Sequence, residues 1–288
     1  MSSWPGSQKR NPRSRRRGPT HPRLFQHPPR SEIADLMVVA LARMVVAGDV
    51  VGVGLGTPIA LAAALVARHT TQHGVHVLAG GALDVSGGVE SHLRDPRDQR
   101  GLTPGFVPHL DSMDMAERQA MTLQFLRPAQ IDRFGNLNTS RIGVRSAPTA
   151  RFSGGLATAD VPVLLPRVIV YHPDHRPRSL PAQVDWITGS GHGWAGNTRK
   201  AAGTVAAVTD LAVIEFVERR GRVKSIHPWS DASTVGENTG FELSLLESAP
   251  PTPEPTSDEL ETLDLVDPRR RRDEEVPNRA GRDGRVTL

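Results

Sequence analysis

The stretch DVVGVGLGTPIALAAALVAR, residues 49–68, contains the pattern that decides the fold. Its apolar, β-branched run Val50–Val53 predicts a short buried strand. A glycine-rich turn follows, and Thr57 with Pro58 predicts the start of a helix over Ile59–Arg68, because proline is favoured at the first helical position. A buried strand that leads directly into a helix is typical of a parallel sheet covered by helices.

The segments around this stretch continue the same order of elements. Apolar residues at helical spacing after Ser31 predict an amphipathic helix that Ser31 caps and Gly48 ends, and Val75–Leu78 predicts a second strand. Further short apolar runs between turn residues predict strands at Met121–Leu126, Arg167–Tyr171, Val184–Ile187, Thr204–Val208, Ala212–Phe216 and Val223–Ile226. We therefore expect an α/β fold, a single-domain layered sheet with helices on both faces.

Composition divides the chain into four regions. Residues 1–30 form a Pro-rich arm with eight Lys and Arg and no acid, so removing them changes the net charge from +4 to +4 − 8 = −4. Such an arm cannot recover its ordering entropy by burial and is expected to be disordered. The folded domain is expected over 31–246. A hinge and a short helix over Ser257–Leu265 follow within 247–268, and 269–288 is expected to be a disordered charged tail.

The composition also argues against several classes of function. The chain has no cysteine, which excludes disulfides, thiolate metal sites and a cysteine nucleophile. The longest apolar stretch, Ile59–Ala67, is too short to span a bilayer, and no export signal is recognised, so a cytoplasmic protein is expected. Nucleic-acid binding is not expected, because the domain itself is mildly acidic and carries no known binding motif. His172 and His175 lack a third ligand, so no metal site is expected.

The first candidate binding element is the turn that contains Gly52, Gly54 and Gly56. Glycine lets backbone amides approach an anion, and the start of the next helix adds partial positive charge. The spacing is not a dinucleotide fingerprint, because Thr57 stands where the third glycine is needed, and the lysine of a Walker loop is absent. Two alternatives remain open: a tight turn for close packing, or contact with a phosphate or pantetheine group.

The second candidate element is the polar cluster of Gln130, Asp132 and Asn136, which follows a predicted strand. Asp, Asn and Gly are also ordinary turn formers, so a structural hairpin is at least as well supported as a ligand-binding loop.

An ordered series of motifs makes this cluster more specific. AQIDRFGNLNTSRIG (129–143) is followed by ARFSGG (150–155), VDWIT (184–188), VTDLAV (208–213), SIHP (225–228) and ENTGF (237–241). This succession resembles the B subunits of two-component class I CoA-transferases of the glutaconate type, and the related B subunits of steroid ring-opening CoA hydrolases. The resemblance extends over 31–246, with a weaker echo to Pro268.

The resemblance implies a fold, a partner and a substrate. The fold is the CoA-transferase type, and an A-type subunit pairs with the B-type chain to build the acyl-CoA site between them. The coenzyme A thioester is the substrate, with no bound cofactor. In transferases of this family, a glutamate of the B-type chain attacks the thioester and becomes an enzyme thioester. Gly154 and Gly155 correspond to a family glycine loop that contacts CoA, but the turn is shorter here.

The chain departs from the family at the nucleophile, because the family glutamate corresponds to Ala79. A methyl group cannot attack a thioester, and neither Asp84 nor Glu90 is a natural replacement. The first hypothesis is therefore a subunit of a hydrolase or lyase whose catalytic carboxylate comes from the A-type partner. The alternatives are a true CoA-transferase with a misaligned nucleophile, and a non-catalytic ligand-binding or structural subunit.

Overall fold

The computed structural model describes residues 28–71, 74–191, 203–218 and 220–278, and the predicted arm lies outside them except at its last three positions. The helices are α1 (Arg30–Ala42), α2 (Pro58–Thr70), α3 (Val89–His92), α4 (Pro96–Gln99), α5 (His109–Glu117), α6 (Val161–Leu164), α7 (Ala232–Glu237) and α8 (Ser257–Val266), followed by a 3-10 helix (Arg271–Glu275). The strands are β1 (Val50–Val53), β2 (His76–Ala79), β3 (Ala82–Leu83), β4 (Gly105–Phe106), β5 (Leu123–Leu126), β6 (Gln130–Ile131), β7 (Leu137–Asn138), β8 (Arg141–Ile142), β9 (Ala150–Arg151), β10 (Arg167–His172), β11 (Thr204–Thr209), β12 (Ala212–Val217) and β13 (Arg220–Ile226).

The described strands form one large sheet in the order β13-β12-β11-β10-β5-β1-β2-β3-β4. The five central strands, from β11 to β2, are parallel, and the two pairs at the edges are antiparallel. In β1, Val53 lies opposite Ala79 of β2 and Phe125 of β5. The expected parallel sheet is therefore confirmed. Its central strands appear as short apolar runs because both faces are covered.

Helices cover both faces of the sheet, as expected. On one face, α1, α2 and α8 pack over a core that includes Met37, Ile59 and Tyr171. On the other face, α5, α6 and the β6-β7 hairpin pack over Leu165 and Ile214. The carboxyl ends of β2, β1, β5 and β10 meet between these two layers.

The predicted amphipathic helix near the N-terminus is instead buried on most sides. Nine of the 13 residues of α1 are buried, because α2, α8 and the 3-10 helix pack around it. The helix begins at Arg30 with Pro29 at the N-cap, and its first turn has no side-chain cap. The capping role predicted for Ser31 is therefore wrong.

The C-terminal segment differs most from the prediction. Residues 269–278, expected within a disordered tail, lie against α1 and α2, whereas 279–288 fall outside the described residues. Arg272 has no exposed surface, and Val276 is 2% exposed. The charges of this segment are neutralised by acidic residues of α1 and α8, which explains why a charged run can be ordered. The predicted helix over Ser257–Leu265 is confirmed as α8.

Two other segments also differ from their predictions. The apolar run Val184–Ile187 is not a strand, and its Val184 and Asp185 amides bond to the side chains of Asp132 and Gln130. Residues 86–108 are rich in Gly, Pro and charge, a composition that predicts a long surface loop or a partly ordered insertion. The segment instead contains α3, α4 and β4, and its Val89 is fully buried. No helix in the described part of the chain is long and apolar enough to cross a membrane.

Candidate functional site

The carboxyl edge of the parallel strands is the candidate site, since ligands of open α/β sheets bind beyond this edge. Four turns meet there. Gly54–Thr57 follows β1, Gly80–Gly81 follows β2, Arg127–Pro128 follows β5, and Pro173–Asp174 follows β10. Because these strands are adjacent in the sheet, the four turns form one continuous edge.

Ala79 is the last residue of β2 and belongs to the core layer that contains α2. It is 8% exposed, so the methyl group lies at the boundary between the core and the edge. Asp84 is engaged elsewhere: it accepts a hydrogen bond from the Val77 amide at 2.8 Å and pairs with His76 at 2.6 Å. Asp84 therefore does not substitute for the carboxylate that Ala79 lacks.

A carboxylate that the sequence did not reveal lies at the same edge. Glu275 Oε2 accepts a hydrogen bond from the Ile59 amide at 2.7 Å, at the start of α2. The Tyr171 hydroxyl donates to Glu275 Oε1 at 2.9 Å, and Arg127 Nη1 lies 3.3 Å from the same oxygen. The Glu275 side chain is 5% exposed, whereas that of Arg127 is 40% exposed. The chain therefore brings an acid, a phenol and a surface cation together at the candidate site.

Burial controls the ionisation of this cluster. It raises the pKa of Glu275, although the Ile59 amide, the charge of Arg127 and the Tyr171 hydroxyl act in the opposite direction. Burial, together with the negative charge of Glu275, also holds the pKa of Tyr171 well above its usual value. The carboxyl group is therefore the member of the pair that gains or loses a proton more readily.

His172 lies beside this cluster at the end of β10. Burial, and next the positive charge of Arg127, lower its pKa to about 4. Its Nδ1 accepts a hydrogen bond from the Asp174 amide at 3.1 Å, and Asp174 is itself paired with Arg176 and Arg178. The ring is therefore neutral near pH 7 and has a defined orientation.

The polar cluster after β5 forms an internal framework. Asp132 Oδ1 accepts hydrogen bonds from the Phe134 and Asn136 amides at 2.9 and 3.1 Å, and Asn136 Oδ1 accepts one from the Gly191 amide at 2.8 Å. Gln130 Oε1 accepts from the Asn138 side chain at 2.7 Å. These contacts favour the structural hairpin, which the sequence left as an alternative for Gln130, Asp132 and Asn136.

The predicted glycines do not all lie together. Gly54 and Gly56 lie on the turn at the carboxyl edge, but Gly52 is within β1, where a side chain would overlap Gln124. Close packing explains that glycine. Gly154 and Gly155 lie beside the β6-β7 hairpin, where Gly154 exchanges hydrogen bonds with Thr139.

Two surface clefts lie away from the carboxyl edge. The first, of about 390 Å³, is lined by β12, β13 and the segment after β13, including Lys224. The second, of about 490 Å³, is lined by the start of β13, by Phe241, and by Arg133 and Phe134 of the turn between β6 and β7. Among the described residues, no three His, Asp or Glu side chains are arranged to hold a metal ion. The carboxyl edge therefore carries a largely buried titratable cluster, in which the Arg127 side chain, at 40%, is exposed.

Comparison with known proteins identifies relatives by sequence, although no family model matches the chain. The chain is 35% identical over 153 residues to the B subunit of the 3-oxoadipate CoA-transferase of Pseudomonas knackmussii, a match that covers 50% of this chain and 58% of that one. It is 27% identical over 235 residues to the B subunit of the glutaconate CoA-transferase of Acidaminococcus fermentans, covering 73% and 82%. It is 32% identical over 159 residues to the cholesterol ring-cleaving hydrolase IpdB subunit of Rhodococcus jostii, covering 51% and 60%. The matched region therefore spans about three fifths of two of these relatives.

Solved structures match more of the chain. The decarboxylase AibA/AibB has a chain with a TM-score of 0.74 and 27% identity, and the match covers 85% of this chain and 98% of that one. IpdAB of Rhodococcus jostii gives a TM-score of 0.73 at 25% identity, covering 88% and 100%. A chain of the glutaconate CoA-transferase of Acidaminococcus fermentans gives a TM-score of 0.70 at 24% identity, covering 82% and 95%, which confirms the CoA-transferase fold that the motifs implied. By sequence and by fold, the chain is a homologue of the B subunits of two-component CoA-transferases and of the related ring-cleaving hydrolase subunits.

Proposed function

We propose that the chain is the B subunit of a two-component enzyme that acts on acyl-CoA thioesters by hydrolysis or bond cleavage, without a glutamyl-CoA intermediate on this subunit. The observation that carries this proposal is Ala79 at the carboxyl end of β2, where the resemblance places the nucleophilic glutamate. Without that carboxylate, this chain cannot form the covalent intermediate at this position.

The names of related proteins also support hydrolysis or bond cleavage. Two solved structures match 85% or more of this chain. One is named the decarboxylase AibA/AibB. The other is IpdAB, whose IpdB subunit is named as part of a cholesterol ring-cleaving hydrolase. In this proposal, an A-type partner supplies the catalytic carboxylate. This chain supplies backbone amides of the Gly54–Gly56 turn and the fixed surface beside it.

The decisive experiment assays the complex of this chain with its A-type partner against a panel of acyl-CoA esters, with and without acetate as acceptor. CoA release or acyl-chain cleavage without acceptor is expected. The isolated chain should be inactive, and turnover by it at the rate of the complex would refute the proposal. Exchange that strictly requires acceptor would instead favour a transferase.

A true CoA-transferase is the second candidate, favoured by the 35% identity to the 3-oxoadipate CoA-transferase chain. It requires a covalent enzyme thioester on a carboxylate of this chain. Reduction with borohydride followed by mass spectrometry distinguishes the two candidates, because only the transferase has an enzyme thioester on this chain, which is reduced to an alcohol as CoA is released. A structural subunit without chemistry would bind no acyl-CoA even with its partner present.

A further inference from the structure

Glu275 comes to the carboxyl edge from the far end of the chain. The 3-10 helix that ends at Glu275 is locked by Arg272, which pairs with Asp35 of α1 at 2.6 Å and with Asp267 at 3.0 Å. Val276, the next residue, is buried in the core layer of α2. The position of Glu275 is therefore fixed by packing on both sides of it.

The contacts of Glu275 link three elements of the candidate site. Its two oxygens meet the first turn of α2 through the Ile59 amide, β10 through Tyr171, and the end of β5 through Arg127. Tyr171 on β10 and Ala79 on β2 both belong to the core layer of α2, with β5 and β1 between their strands. The carboxylate therefore lies on the same side of the sheet as Ala79, beside β10 and the start of α2.

Arg127 connects this internal carboxylate to the surface. Its side chain is 40% exposed, and its ion pair with Glu275, at 3.3 Å, is longer than the roughly 2.7–2.9 Å typical of a charge-assisted hydrogen bond. The Arg127 guanidinium can therefore contact an anion on the solvent side and Glu275 on the buried side. The net charge at this edge then depends on whether Glu275 holds a proton.

We propose that Glu275 is a positioning residue of the candidate site, which holds Arg127 at the carboxyl edge and sets, by gaining or losing a proton, the charge that a CoA thioester meets there. The proposal rests on the proposed function, because it assumes that CoA binds at this edge. An anion bound beside Arg127 competes with the ionised carboxylate for the same cation. Binding is therefore coupled to proton uptake by Glu275, and the affinity for CoA rises as the pH falls, by at most about tenfold per pH unit.

The groups around Glu275 make it the residue that takes up this proton. Tyr171 remains protonated because its pKa is raised, and His172 remains neutral near pH 7 because its pKa is lowered to about 4. Arg127 remains charged at any pH of interest. Burial raises the pKa of Glu275 itself, which brings its titration closer to neutral pH.

The test measures proton uptake when free coenzyme A binds to the complex with the A-type partner, by titration calorimetry in two buffers of different ionisation enthalpy. We expect uptake of a fraction of one proton per CoA in the unmodified complex, and loss of this uptake in Glu275→Gln. Glutamine retains an acceptor for the Ile59 amide or the Tyr171 hydroxyl, so the fold should persist. Glu274→Gln is the matched control, since Glu274 is 55% exposed and pairs with Arg271 instead.

The outcomes separate the two proposals. CoA binding with the same proton uptake in both variants and the unmodified complex would overturn the role of Glu275, because the remaining uptake would belong to the CoA phosphates. Absence of CoA binding to the unmodified complex would overturn the proposed function as well. Should Glu275→Gln fail to fold, Arg127→Gln at the surface provides the second test: weaker CoA binding and loss of the coupled proton uptake are expected, because the shared cation is gone, and unchanged values would contradict the proposal.

Discussion

Arg272 and Asp267 form an ion pair at 3.0 Å in which neither side chain has any exposed surface. The same guanidinium pairs with Asp35 of α1 at 2.6 Å and with Asp264 of α8 at 3.1 Å. One buried cation is thus paired with three acidic residues: Asp35 of α1, Asp264 of α8, and Asp267, which directly follows α8. This network fixes the C-terminal segment against α1 and places Glu275 at the start of α2.

Arg272→Ala should lower the free energy of unfolding by about 3–5 kcal/mol, because it leaves the fully buried carboxylate of Asp267 without its cation. Urea denaturation followed by tryptophan fluorescence measures the change. Arg97→Ala is the control: the Arg97 side chain is 82% exposed in its ion pair with Asp95, and its loss should leave the midpoint unchanged. An equally small effect of both substitutions would show that the network does not hold the C-terminal segment.

The stability of the chain should fall as the pH decreases from about 6.5 to 4. Burial lowers the pKa of His172 and His227 from 6.5 to about 4 in the folded state, so the unfolded chain takes up protons first. The stabilisation from each neutral ring is complete above pH 6.5 and is lost on the way to pH 4, at about 3 kcal/mol per histidine. Urea denaturation at pH 7 and at pH 4.5 measures the loss, and equal stability at both values would contradict the burial of neutral rings.

His227→Gln should reduce this pH dependence. His227 Nε2 donates to the Thr209 carbonyl at 2.8 Å, and this leaves Nδ1 of the neutral ring to accept from Thr252 at 2.9 Å. The slope of unfolding free energy against pH between 6 and 4.5 should decrease by up to about 1.4 kcal/mol per pH unit. Urea titrations at several pH values measure this slope. An unchanged slope would mean that His227 is not buried as a neutral ring.

Much of the fold could be predicted from local sequence because its central strands are short apolar runs bounded by turn residues. Val50–Val53 was predicted at its observed bounds, and the other central strands within one or two residues. The exception is Val184–Ile187, where Trp186 is exposed and carries the Arg141 guanidinium 3.8 Å from its ring centre. Counting apolar residues cannot distinguish an exposed tryptophan that stacks against an arginine from a tryptophan in a buried strand.

The candidate site was less predictable because its titratable cluster forms through long-range contacts. Glu275 lies 216 positions from Ile59 and 104 from Tyr171, and it belongs to a run of charges whose composition suggests disorder. The local signal was Val276 followed by Pro277, an apolar pair within that run. The replacement of the family glutamate by Ala79 could be found from the sequence, because recognising it requires only alignment with the family motifs and no knowledge of tertiary contacts.

Asp132→Ala should act mainly on stability. Removing this buried carboxylate leaves the Phe134 and Asn136 amides without their acceptor, which destabilises the fold by about 1–3 kcal/mol. CoA affinity of the complex, measured by calorimetry, should remain unchanged, because the carboxylate is occupied inside the hairpin. Asp185→Ala is the control, since exposed Asp185 accepts a hydrogen bond from the Gly143 amide at 2.8 Å. A folded Asp132→Ala complex that loses CoA binding would restore Asp132 to the ligand-binding residues.

Ala79→Glu tests whether the position at the end of β2 is that of the family nucleophile. The introduced carboxylate would stand on the strand next to β1, beside the turn Gly54–Gly56, and a carboxylate there could attack a thioester held at the carboxyl edge. We expect acceptor-dependent CoA exchange by the complex to rise by roughly tenfold or more over Ala79→Gln, which has the same shape without the nucleophile. After treatment with borohydride during turnover, mass spectrometry should then detect reduction of the side chain to an alcohol at residue 79 alone. A folded complex without this reduction or exchange would mean that more than the missing carboxylate separates this chain from the transferases.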